Sequence, residues 1–569
     1  MSLSASAPWV RHYGHTPAHL DYPDHSMYSL LLDTARQHPD HIAYDFLGKK
    51  TTYAQFLSRI DAAAKGLTAL GIRAGDTVTI CMPNSPQAVD CFYALNRIGA
   101  IANVIHPLSA ATEIAFYLNN SGSKAVLTLD QFYEKIASVL PQLAQPCTVI
   151  VTRIREELPF PKNILYPLTK SGRKGRGLPK TGYLLWQDVI RRDSPLPAHR
   201  VDADGHAVTL YSGGTSGTPK GIMLSSRNFN ALGLQTIAAS GFDSILGMKM
   251  LSLMPIFHGF GLGIGIHTAL IGGATCILVP QFNMKTYTQI LLRQKPNIIP
   301  GVPTLFEALL RSEDMKGKDL RFLQGIFCGG DSLSPELKKK VDAFLAAHNC
   351  SQQIREGYGT TECVNASCLT PKDHARTGSI GVPFPDMYYK IVTPGTTEEV
   401  AAGADGEICI SGPTVMLGYL HNPEETATAL RRHADGKIWL HTGDLGMMDE
   451  EGFVYFRQRI KRMIVTSGYN VYPAQLENII NSHEDVLLSC VIGVKDAYRG
   501  QRVQAYVVPM PGITPTEELK QEILRYCARH IAKYAMPREL IWRESLPKTA
   551  VGKVAYRMLE EEALQEEPQ

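Results

Sequence analysis

The sequence predicts an α/β protein made of a large N-terminal domain of layered sheets and helices followed by a small C-terminal α+β domain. Three observations carry this expectation. The chain has 569 residues, and a single hydrophobic core stops growing at roughly 250–300. Between Asp76 and Asp130 strand-like and helical patterns alternate, as in layered folds with parallel strands. Beyond Lys461 the pattern changes to two strand-like runs, Leu487 to Val494 and Val503 to Val508, and then a helix. The domains are placed at 1–458 and 459–569.

In the large domain, Thr77 to Met82 is strand-like. Ser85 is expected as an N-cap with Pro86 at the first helical position, Val89, Phe92, Tyr93 and Leu95 form an apolar face, and Gly99 ends the helix. Ile101 to Ile105 and Ala125 to Leu129 supply the next strands. In the small domain, Thr514-Pro515-Thr516-Glu517 reads as a capping box opening a helix with Leu519, Ile523, Cys527 and Ile531 on one face. The apolar tract Leu251 to Pro280 approaches membrane-span length, but it holds Pro255, His258, His267 and six glycines. It is expected to form buried strands and loops.

Composition excludes several classes. With 44% hydrophobic and 20% charged residues and a net charge of +3, the chain has ordinary globular composition and no nucleic-acid footprint. Its eleven cysteines include no C-x-x-C pair, which suggests reduced thiols in a cytosol and neither a zinc site nor a disulfide framework. Met1 to His12 lacks the pattern of a secretory signal.

From Leu158 to Lys180 the chain turns Pro- and Gly-rich and basic, with Lys162, Lys170, Arg173, Lys174, Arg176 and Lys180. A solvated surface loop is the plain reading. The alternative is peripheral membrane contact through 162–180, at about 1 kcal/mol per basic residue near an anionic surface.

Tyr211 to Gly221 packs four glycines, four hydroxyls and Lys220 into eleven residues after the strand-like run Ala207 to Leu210. That composition fits a polyphosphate: glycines let backbone N–H groups approach anionic oxygens, hydroxyls add donors, and the lysine adds a cation. The P-loop of kinases and GTPases is excluded, since it needs Gly before and Ser or Thr after the lysine, where Pro219 and Gly221 stand.

Downstream segments extend the reading: Pro255 to Gly261 with His258, Gly301-Val302-Pro303-Thr304, Gly329-Gly330-Asp331, Glu356 to Glu362, His441-Thr442-Gly443-Asp444, Arg457 to Lys461, and Pro547 to Lys553. Taken in order with the glycine-rich loop, they resemble the adenylate-forming superfamily of acyl-CoA synthetases, adenylation domains and firefly-type luciferases, and most of all fatty acyl-CoA synthetases. The resemblance implies ATP and Mg²⁺ as cofactors and coenzyme A as co-substrate. It assigns Thr215, Ser216, Gly217, Thr218 and Lys220 to the phosphates, and Gly329, Gly330 and Asp331 to the adenine. Tyr358, Gly359 and Thr360 join the nucleotide site, with Tyr358 stacking on the base. Thr361 falls to the α-phosphate, Glu362 to Mg²⁺, and Asp444 and Arg459 to the ribose.

By the same resemblance His258 lies near the acyl-adenylate, Lys553 is the adenylation lysine, and Lys461 is the hinge about which a mobile small domain turns. Gln458 departs from the Gly or Asp usual in the family. The implied reaction activates a carboxylic acid, with a fatty acid favoured, as acyl-AMP and transfers it to coenzyme A. Loading of a carrier protein and luciferase-like oxygenation stay open, as does monomer or homodimer.

Overall fold

The computed structural model describes residues 3–169, 172–173, 177–196, 201–212, 219–466, 469–496, 498–548 and 554–566. Of the expected site residues, Thr215, Ser216, Gly217, Thr218 and Lys553 lie outside this set, as do Lys170, Lys174 and Arg176 of the basic tract.

The alternation seen in the sequence forms one half of the large domain. Thr77–Cys81, Ile101–Val104, Ala125–Leu129 and Thr148–Thr152 pair in parallel within a sheet of eight described strands. The helix Pro86–Ile98 begins with Pro86 and ends at Gly99, whose φ of +74° suits a residue without Cβ. Ser85 occupies the N-cap, but its hydroxyl donates to the Pro83 carbonyl and does not accept from the first turn. The same sheet carries His206–Ser212 paired antiparallel with Lys220–Ser225, the two strands that flank the glycine-rich segment in sequence.

A second sheet, of nine described strands, positions most of the remaining motifs. Lys249–Ser252, Thr275–Leu278, Ile298–Gly301, Gly325–Cys328 and Ile354–Tyr358 run parallel. Gly301-Val302, Gly329-Gly330-Asp331 and Gly359 to Glu362 therefore gather beyond the carboxyl ends of neighbouring strands, where open α/β sheets bind ligands. A third, antiparallel sheet contains Gly406–Ser411, Ile438–Met448 and Val454–Arg459 and places Asp444 directly opposite Arg459.

The small domain has a sheet of five described strands around Val486–Asp496 and Gly500–Pro509, packed against Pro473–Asn481 and Glu517–Ala528. Ile523 and Cys527 are fully buried there, with Leu519 and Ile531 packed alongside. The N-cap is Thr516, whose side chain accepts from Leu519 N, and not Thr514. The helix thus starts two residues later than the capping-box reading expects, beyond Pro515.

The tract Leu251 to Pro280 is also corrected. Between its strands the chain forms a wide-turn π-helix, Phe260–Thr268, continued by Ala269–Ile271. Every residue of the π-helix is buried, so no polar face marks it in the sequence. Gly261 and Gly263 serve close contact: a Cβ on Gly261 would lie 2.1 Å from the Pro255 carbonyl oxygen and one on Gly263 2.6 Å from Leu232. His267 is a satisfied core histidine, bonded to Tyr93 and Asn230. Among the described residues no helix is long and apolar enough to cross a membrane.

Candidate active site

Two cavities meet at the carboxyl edge of the second sheet. The larger is a cleft with charged and polar walls, lined on one side by Gly330, Asp331, Tyr358, Gly359, Asp444 and Arg459, and on the other by Glu477, Asn478, Asn481 and Tyr556 of the small domain. The smaller is an apolar hollow between Ile237, Ile245, Met250, Phe260, Ile264, Phe327, Leu369 and Phe384. No charged residue lines it among the described residues. Gly357 lines both spaces, and Gly329 in one precedes Gly330 in the other.

The polar cleft brings together six of the expected nucleotide residues. Gly330 takes φ +80°, turning the chain beyond Cys328. Gly359 passes close to the next loop, where a Cβ would lie 2.5 Å from Ala366 N. Asp444 is almost fully buried; its Oδ2 accepts from the Tyr358 hydroxyl at 2.6 Å and its Oδ1 faces Arg459 Nε at 3.3 Å. Asp444 in turn holds the Arg459 guanidinium protonated against burial, and burial drives the Tyr358 hydroxyl well above its ordinary range. A carboxylate has about four lone-pair positions, so Asp444 keeps acceptor capacity for a ligand's hydroxyls.

A second group assembles around Tyr419. Glu362 sits in the single turn Thr361–Cys363, capped by Thr360, and its Oε1 accepts from the Tyr419 hydroxyl at 3.0 Å. Lys220 lies over the same ring, 4.9 Å from its centre, and its Nζ is 2.5 Å from Glu425 Oε2. Strand pairing explains the meeting: Gly418–Tyr419 joins the edge of the strand that Lys220 opens. Glu362 supplies a carboxylate braced by one hydrogen bond, an oxygen donor suited to a hard cation such as Mg²⁺.

Other expected residues fall elsewhere. His258 lines neither cavity; it turns the chain before the π-helix, and its Nδ1 accepts from Phe260 N at 3.3 Å. Its neighbour Phe257 packs on His106, with ring centres 4.2 Å apart. Lys461 lies in the short turn Ile460–Arg462 and borders a separate hollow with Tyr556, Glu560 and Glu561. Arg462 belongs to the small domain: it is ion-paired with Glu477, donates to the Val491 carbonyl, and rests on the Tyr556 ring at 4.8 Å.

The sequence reading passed over Tyr419, Glu425, Phe456 and Glu356. Glu356 is the most informative, since it opens the Glu356 to Glu362 segment. Its Oε1 accepts from Leu333 N at 3.1 Å, and burial pushes its carboxyl up to about 8. Gln458, noted only as a departure, is buried at the cleft wall with both amide atoms unpaired.

Comparison with known proteins identifies the family. The family described as "AMP-binding enzyme" matches residues 31–420, and "AMP-binding enzyme C-terminal domain" matches 475–553. A long-chain-fatty-acid–CoA ligase of Bacillus subtilis is 35% identical over 98% of this chain and 99% of its own. The crystal structure of ATP-bound MatB from Rhodopseudomonas palustris superposes with a TM-score of 0.81 at 26% identity, covering 94% of this chain and 98% of that one. The apo form of the same protein gives 0.72 at the same identity and coverage, so the arrangement here is nearer the ATP-bound one.

The chain belongs to the AMP-binding enzyme family, within the adenylate-forming superfamily. It is an acid–thiol ligase that uses ATP to activate a carboxylic acid as acyl-AMP and transfers the acyl group to coenzyme A.

Proposed function

We propose that the acid is a long-chain fatty acid. The observation that carries this is the apolar lining of the smaller cavity, which offers no cation for a second carboxylate and shares Gly357 with the polar cleft. The name of the Bacillus subtilis relative supports the same reading. The acyl tail would fill the cavity, bringing its carboxylate to the shared wall.

In the cleft, Tyr358 would stack on adenine beside Gly330 and Asp331, and Asp444 with Arg459 would take the ribose hydroxyls. Thr361, Lys220, Lys553 and the hydroxyls of 215–218 would hold the phosphate oxygens in line for attack by the carboxylate. Such positioning and charge neutralisation supply most of the catalysis in phosphoryl chemistry. Glu362 would hold Mg²⁺, which neutralises phosphate charge when bound. Rotation of the small domain about Lys461 would then withdraw Lys553 and admit the thiol.

Pyrophosphate release over a panel of acids, with and without coenzyme A, tests the reading. The expected result is CoA-dependent thioester formation that peaks with long aliphatic acids. A peak with aromatic or short acids overturns the substrate class, and product that does not depend on coenzyme A favours a carrier-protein or oxidising alternative.

A water-poor substrate also gives meaning to the surface at 160–168. Phe160, Ile164, Leu165 and Leu168 are 78%, 63%, 53% and 62% exposed beside Lys162 and Arg173. Apolar side chains rimmed by cations suit an anionic bilayer. We infer that this face gives the chain peripheral membrane contact. Cosedimentation with anionic vesicles should be lost in Leu165→Glu/Leu168→Glu, and equal binding to neutral vesicles would refute the electrostatic part.

A further inference from the structure

The third sheet holds a cluster that the reaction above does not use. Cys409 and His441 face each other across the strands Gly406–Ser411 and Ile438–Met448. The hairpin after Leu430–Arg432 sets His433 beside them. All three are buried, and one ligand atom from each lies within 4.8 Å of the other two.

The hydrogen bonds fix how these groups are presented. Glu407 Oε2 lies 2.9 Å from His441 Nδ1. A carboxylate only accepts, so Nδ1–H donates and His441 Nε2 turns a lone pair toward His433. His433 Nε2, 3.0 Å away, donates to it. The remaining nitrogen, His433 Nδ1, has no hydrogen-bond partner, so it can take up the ring proton when Nε2 turns to a cation.

We propose that Cys409, His433 and His441 bind a transition-metal cation of the zinc class, with Glu407 orienting His441 from behind. Zinc takes thiolate sulfur at about 2.3 Å and imidazole nitrogen at about 2.0–2.1 Å, which in a tetrahedron sets two nitrogens about 3.3 Å apart. The 3.0 Å between the imidazoles needs to open by only a few tenths of an ångström. A carboxylate behind a ligating histidine is the usual means of fixing tautomer and ring orientation. Two cations stand nearby: Lys390 is paired with Asp435 at 3.1 Å and lies over Trp439, and Arg431 donates to the Thr428 and Gly395 carbonyls and acts on the cluster from its edge. Binding expels the thiol proton of Cys409, shifts the His433 proton from Nε2 to Nδ1, and replaces the imidazole–imidazole hydrogen bond with two metal–nitrogen bonds. Glu407 also accepts from Gly443 N at 3.0 Å with its other oxygen, which ties the site to the turn before Asp444.

The test uses the full-length protein, stripped with chelator and titrated with Co²⁺ and then Zn²⁺. One equivalent of cobalt should bind with a thiolate-to-cobalt charge-transfer band, and zinc should displace it. Cys409→Ser should abolish the band, and Glu407→Gln should weaken affinity about 10–100-fold, as outer-shell losses do. Where a variant does not fold, the wild-type chain still decides, because zinc must raise its Tm saturably at one equivalent. No stoichiometric binding, or affinity unchanged in Cys409→Ser, overturns the proposal.

Discussion

Asp444 has Tyr358 and Arg459 on its two oxygens, and in the proposed site it also accepts from the ribose. Ribose bonds exist in ground and transition states alike, so Asp444→Ala should weaken ATP binding more than it slows chemistry. At about 1.5–3 kcal/mol per charge-assisted bond, the Kd should rise roughly 10–150-fold for each bond lost; calorimetry with an unchanged Kd would refute the ribose role. Glu356 makes a pH prediction. Its carboxyl is pushed up to about 8 in the folded chain, chiefly by burial, so the folded state keeps a proton that the unfolded chain, titrating near the ordinary carboxyl value, has released. Its contribution to stability therefore falls as pH rises from about 4.5 to about 8. The stability of Glu356→Gln relative to wild type should climb across that window in denaturant titrations and be flat below it. A relative stability that declines over the same range would refute the protonated assignment.

At the scale of elements, the π-helix lines the apolar cavity with Phe260, Ile264 and Thr268, and its glycines are not among the lining residues. Ile264→Phe should therefore shorten the preferred acyl chain, each methylene excluded costing about 0.8 kcal/mol, or roughly fourfold in kcat/KM. A chain-length profile identical to wild type in a folded variant would remove Ile264 from the channel. Gly261→Ala should instead destabilise the fold by about 3 kcal/mol or more, since its Cβ meets backbone at 2.1 Å; urea unfolding measures it. This difference also shows what the sequence can reveal. Thr77–Cys81 and Pro86–Ile98 were legible because period and caps are local signals. The π-helix was not, because a helix buried all round has no contrasting face. Tyr419 and Glu425 were hidden for another reason: their role depends on strand pairing with Lys220, some two hundred residues earlier. Cys409, His433 and His441 come from three strands or their ends, and spacing alone does not unite them.

For the whole molecule, the hinge proposal separates the two half-reactions. Proline fixes φ near −65°, so Lys461→Pro should hold the small domain on one side of its swing. Thioester formation should fall by orders of magnitude while acyl-AMP, trapped with hydroxylamine, still accumulates. Proportional loss in both steps would refute the hinge. The anchors on either side of Lys461 sharpen this expectation. Arg459 is moored to Asp444 in the large domain and Arg462 to Glu477 in the small one, so only Ile460 and Lys461 lie on the tether between them. If the small domain turns about Lys461 as proposed, the backbone angles of these two residues carry the whole turn, and the swing depends on the chain there and not on the length of the acid in the cavity.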